Sequence, residues 1–131
     1  MGFDPMMNQT PVTNVYGEQI YKIRVTFGAN SAVTFRSKDA TIAKTTTTTF
    51  TVTFPCPYAE ITEFSQSWKK ATGADPLAMQ ITTDSLASAG TLVLTSVSTN
   101  SAGTATAPAS GDVCYLTIGV SRDLQNGNYT G

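Results

Sequence analysis

Apolar and polar residues alternate with a period of two through much of the chain. In "QIYKIRVTF" (19–27) Tyr21, Ile23, Val25 and Phe27 share one face, and Lys22, Arg24 and Thr26 share the other. Alternation over this length predicts a half-buried β-strand. "GAN" then supplies a turn, and "SAVTFRS" continues the pattern with Val33 and Phe35 inward and Thr34 and Arg36 outward. In "TTTTTFTVTFPCPYAEITEF" (45–64) Phe50, Val52, Phe54 and Cys56 take one phase, and Thr47, Thr49, Thr51 and Thr53 the other. Threonine is β-branched and suits strand geometry, while its hydroxyl keeps the outer face wet. The threonine run therefore reads as a strand face. Pro55 and Pro57 end that strand or mark a sheet edge, because proline has no N–H for the ladder.

Residues 58–70 fit two patterns. Tyr58, Ile61, Phe64 or Ser65, and Trp68 trace a helical stripe, whereas Phe64, Gln66 and Trp68 alternate as in a strand. The surrounding β signals favour the strand. "MQITT" predicts a short strand, "DSLASAG" a turn or a single helical turn, and "TLVLTSVST" a strand with Leu92 and Leu94 opposed to Val93. "NSAGTATAPASGD" is a loop of small residues. "VCYLTIGVS" closes the domain, with Cys114, Leu116, Ile118 and Val120 inward and Tyr115 and Thr117 outward. Seven or eight short strands separated by turn signals predict an all-β, single-domain antiparallel β-sandwich or a jelly-roll-like barrel. Residues 1–18, aperiodic and holding Pro5, Pro11 and Gly17, read as an extended N-terminal arm, 19–121 as the domain, and 122–131 as a polar tail.

Charge narrows the function. Only 13% of the 131 residues are charged, against about 25% in typical domains. The surface is therefore built from Thr, Ser, Asn and Gly. That suits a subunit covered by its neighbours, and it equally suits a β protein with ordinary polar faces. Net charge is −1, and Lys69-Lys70 is the longest basic run, so no phosphate-neutralising stripe is expected. No apolar run approaches the ~20 residues that span a bilayer. The N-terminal stretch has neither the positive nor the apolar region of a secretory signal, and Met6 stands where myristoylation wants Ser or Thr. Synthesis in a cytoplasm is expected. Cys56 and Cys114 then read as free buried thiols, with a disulfide open only if their strands face one another.

The chain has no histidine. Ser-His-Asp and Cys-His nucleophile pairs therefore fall away, with the commonest metal ligand. Two cysteines make no four-thiolate zinc site. A glycosidase needs two carboxylates, but Glu60 and Glu63 stand three apart and face opposite ways on a strand. Asp75, Asp84 and Asp112 read as turn residues, or as calcium ligands if the fold gathers them. The sequons at Asn8 and Asn128 are chance matches in a chain this rich in Thr and Asn. Trp68 and Tyr58 form either an aromatic platform for sugar or part of a core. No catalytic residue, cofactor or metal ligand is assigned.

The layout resembles a known class of protein. Threonine-rich alternating strands, "TTTTTFTVTFPCPYAEI", precede "TLVLTSVSTNSAGTATAPASGDVCYLTIGVS", a strand, a small-residue loop with a Gly-Asp turn and a final strand. Over residues 19–121 this is similar to small virion proteins of tailed bacteriophages, in particular capsid decoration (cement) proteins. The resemblance implies a compact β domain without enzymatic activity, assembled as a homotrimer over junctions of major capsid protein subunits on the virion surface. It implies no cofactor and no nucleic-acid or membrane partner. The arm then becomes a clasp on the neighbouring subunit, with Phe3, Pro5, Met6, Met7 and Pro11 as its contact residues and Trp68 as a contact on the domain. The alternative is a receptor- or carbohydrate-binding domain of a phage fibre, spike or tail, for which an exposed Trp68 would be the platform.

Overall fold

The computed structural model describes residues 18–71, 76–100 and 103–122. The proposed clasp residues Phe3, Pro5, Met6, Met7 and Pro11, both sequons, Asp75 and the tail beyond Arg122 lie outside the described residues. Eight strands are described: β1 Glu18–Phe27, β2 Val33–Ser37, β3 Thr41–Lys44, β4 Thr49–Thr53, β5 Glu60–Lys69, β6 Leu77–Ser85, β7 Thr91–Ser98 and β8 Val113–Ser121. A single helical turn, α1, spans Leu86–Ala89. The strands pair antiparallel in two four-stranded sheets, β2-β1-β8-β5 and β3-β4-β7-β6. The molecule is a β-sandwich, and the barrel alternative is not adopted.

The core is the inward register of both sheets. Tyr21, Ile23, Val25 and Phe27 on β1 and Cys114, Leu116, Ile118 and Val120 on β8 meet Phe50 and Val52 on β4 and Leu92 and Leu94 on β7. Phe27 is the hub: it lies edge-on to Phe50 at 5.1 Å and stacks on Trp68 at 5.7 Å with the rings 9° from parallel. A second aromatic group joins Tyr21, Phe54 and Tyr58, whose hydroxyl meets that of Tyr21 at 2.5 Å. Burial, then the bonds to Tyr21 and Cys56, hold the Tyr58 phenol well above its ordinary pKa.

Four expectations change. First, the threonine run is not one strand. Thr41–Lys44 and Thr49–Thr53 form a hairpin, and Thr45–Thr48 is its turn. The Thr46 hydroxyl accepts the Thr48 and Thr49 N–H groups at 3.3 and 3.1 Å, a side chain standing in for a backbone turn. Second, β4 ends at Thr53, so Cys56 lies beyond the strand; Cys56 is half-buried, Cys114 is buried, and both are free. Third, Phe35 has the inward phase, opposite Val25, yet is 42% exposed. Strand β2 is an edge strand, so its inward residues reach only the rim of the core. Fourth, Glu60 and Glu63 share a face. A β-bulge at Thr62 inserts one residue, and the two glutamates oppose Ser121 and Gly119, two apart on β8.

Loop closures are specific. Gly90 ends α1 in the left-handed conformation (φ 71°), and a Cβ there would meet the Cys56 carbonyl oxygen at 3.0 Å. Asp84 caps the same turn by accepting the Leu86 N–H at 3.0 Å. Asp112 is fully buried and accepts N–H bonds from Ala71 and Ala109, each at 2.9 Å, with Lys70 as its ion-pair partner. Asp84 and Asp112 are thus separately employed in holding loops, and no group of three potential metal ligands occurs among the described residues.

Candidate functional site

The two outer faces of the sandwich differ chemically. On β3-β4-β7-β6 the outward register carries Thr41, Thr49, Thr51, Thr53, Thr91 and Thr95, with Ala43, Val93, Gln80 and Thr83 between them. No charged residue stands in that register. Hydroxyls pair across it, Thr82 on β6 with Thr95 on β7 at 3.0 Å and Thr45 of the hairpin turn with Thr51 on β4 at 2.7 Å.

The outer face of β2-β1-β8-β5 is charged and sorted by sign. One rung runs Arg36, Arg24, Tyr115, Ser67, each directly opposite the next. The adjoining rung runs Thr34, Thr26, Val113, Lys69, and Lys22 opposes Thr117 on the other side. Farther along the same strands stand Glu18, Glu60 and Glu63, around Ser121 and Gly119. There the Thr62 hydroxyl donates to the Glu18 carboxylate. A basic half and an acidic half therefore share one sheet face.

The Arg24–Arg36 rung is the most unusual part. Like charges directly opposite on neighbouring strands repel. Among the described residues neither guanidinium has an ion-pair partner; the ion pair found there is Lys70–Asp112. A shallow depression of about 250 Å³ opens at this rung, lined by Arg24, Thr26, Thr34, Phe35 and Arg36. Large apolar residues stay exposed on this sheet: in the outward register Tyr115 at 43% next to Arg24 and Ile20 at 40% toward the acidic half, and in the inward phase Phe35 at 42%, at the edge of β2.

Trp68 is placed differently from a free platform. It is half-buried, faces inward opposite Cys114, stacks on Phe27, and donates its indole N–H to Gln66 at 3.0 Å. Tyr58 is buried beneath Arg122, whose guanidinium lies 5.9 Å from the ring centroid. The exposed aromatic in the outward register of this sheet is Tyr115, assigned only as an outward strand residue by its alternation. The signal available in the sequence was that Arg24, Arg36 and Tyr115 are all outward; their meeting on one rung depends on strand order and register, which alternation alone does not encode.

No protein-family model, no curated protein and no solved structure matches this chain.

Proposed function

We propose that this chain is a non-enzymatic structural protein of a virus particle, a capsid decoration (cement) protein that binds over junctions of major capsid subunits and stabilises the shell. The observation that carries the reading is the Arg24–Arg36 rung, without an ion-pair partner among the described residues and continued by exposed Tyr115. Arg and Tyr are the side chains enriched where protein interfaces concentrate their binding energy. The uncharged threonine face of the other sheet supports it too, because copies or neighbours can approach that face without like-charge repulsion. Several weak contacts of this kind, engaged at once around a subunit junction, give strong attachment through avidity. The threonine-rich layout of the strands supplies the link to phage virion proteins.

The test is co-sedimentation of the full chain with phage shells lacking their own decoration, together with its native mass by light scattering. Attachment that protects shells against heat or chelator, from an assembly near three times 13.8 kDa, is the expected result. A chain that attaches to no shell and instead binds glycans through Tyr115 supports the receptor-binding alternative.

A further inference from the structure

We propose that the basic half of the β2-β1-β8-β5 face grips a carboxylate-bearing segment of a protein partner, with Arg24 and Arg36 supplying the two forks. The inference deepens the structural reading above and rests on it for the kind of partner, a protein surface. Lys22, Arg24, Arg36 and Lys69 stand in the outward register of this sheet, four of the eight Lys and Arg residues in the chain. A chain so sparing of charge places two of those cations in direct cross-strand opposition and leaves both without a described partner. That arrangement is unfavourable in the isolated domain and becomes favourable when an anion sits between the pair.

The chemistry selects a carboxylate. A guanidinium presents a planar fork that takes a carboxylate bidentately, and the depression at the rung leaves it accessible. Exposed Tyr115, directly opposite Arg24, adds aromatic contact beside the charges, as in a protein interface with an aromatic anchor and a polar rim. A nucleic-acid backbone fits less well. Its charge runs continuously, and along β1, β5 and β8 it would meet Glu18, Glu60 and Glu63 within the same face. A short acidic segment ends before that half.

The experiment uses the full chain, isotope-labelled, titrated with a hexaglutamate peptide and followed by the amide and guanidinium NMR signals. Shifts centred on Arg24, Arg36 and Tyr115 are expected. So is an affinity that weakens with salt and falls about tenfold or more in Arg36→Glu, the loss of one charge-assisted fork. Arg36→Glu also gives Arg24 a cross-strand carboxylate, so its thermal midpoint should equal or exceed the parent's, which shows that the fold is kept. Absence of shifts at the rung, an unchanged affinity in Arg36→Glu, or an oligothymidylate that binds as tightly as the peptide overturns the proposal. Shell co-sedimentation separates the two readings. Attachment undiminished in Arg36→Glu overturns this inference and leaves the structural role standing. Peptide binding lost in Arg36→Glu, from a parent that attaches to no shell, upholds the inference and removes the structural role.

Discussion

Gln66 holds the Met79 backbone at both ends of its carboxamide: its Nε2 donates to the Met79 carbonyl at 3.0 Å, and its Oε1 accepts the Met79 N–H at 2.6 Å. Gln66 lies on β5 and Met79 on β6, the edge strands of opposite sheets. The side chain thus acts as one rung of a β-ladder between the two layers, closing the sandwich along that side. The same Oε1 accepts the Trp68 indole N–H. Gln66→Leu leaves three polar groups unsatisfied at a half-buried seam. At ~1–3 kcal/mol for each buried group without a partner, partly relieved by water, a net loss of about 3 kcal/mol is expected in urea unfolding. Gln66→Glu should lose less, and the loss should shrink at acid pH, where a protonated carboxyl regains a donor for the Met79 carbonyl.

Asp112 does for the 103–112 loop what Gln66 does for the edge. Burial works against its charge, but N–H bonds from Ala71 and Ala109 and the ammonium of Lys70 outweigh it and hold the carboxyl below the usual range. Removing one partner of a buried pair costs ~3–5 kcal/mol, and the partial exposure of Lys70 places Asp112→Ala near the lower end. The pH dependence has a defined sign. A lowered folded pKa contributes stability that is present above the unfolded value of about 3.9 and lost as pH falls through the folded pKa. The thermal midpoints of parent and Asp112→Asn should therefore lie far apart at neutral pH and converge as pH falls through the lowered folded pKa of Asp112.

The Arg24–Arg36 rung predicts a gain rather than a loss. Removing one of two opposed like charges relieves a repulsion of ~0.2–1 kcal/mol. Arg36→Gln should therefore raise the midpoint of unfolding, most clearly at low salt, where screening is weakest. A drop in stability would mean that the two guanidiniums are held apart and that the rung stores no repulsion.

The core was legible in the alternation. Tyr21 through Phe27, Leu92 and Leu94, and Cys114 through Val120 all face inward as their phase predicts, because a buried sheet face fixes register to the residue. The strand reading of 58–70 holds for the same reason: Phe64 and Trp68 pack on the core while Ser65 and Ser67 are exposed. What period two could not reveal are the places where something other than phase decides. Threonine has both a strand-forming Cβ and a turn-forming hydroxyl, so Thr45–Thr53 did not disclose its hairpin. An added residue at Thr62 reset the phase and brought Glu60 and Glu63 together. Phe35 kept its phase but lost its cover at the rim. The Arg24–Arg36–Tyr115 rung is a property of pairing, and each strand taken alone contains only one part of it.

Cys114 supplies a prediction at the alkaline end. Burial pushes its thiol up to about 12, against about 8.5 in an unfolded chain. A raised folded pKa means that the contribution to stability is fully present below the unfolded value and is lost as pH rises from there toward the folded one. Stability should accordingly decline above pH ~8.5, and Cys114→Ala or Cys114→Val should remove part of that slope. The thiolate is the reactive form, so Cys114 should resist alkylation in the native chain. Cys56, half-buried with Arg122 Nη2 at 3.7 Å from its sulfur, lies outside the sealed core. Mass spectrometry after timed iodoacetamide treatment should find Cys56 labelled first and Cys114 only at the rate of unfolding. Equal labelling of both would show that the core around Cys114 opens locally without global unfolding.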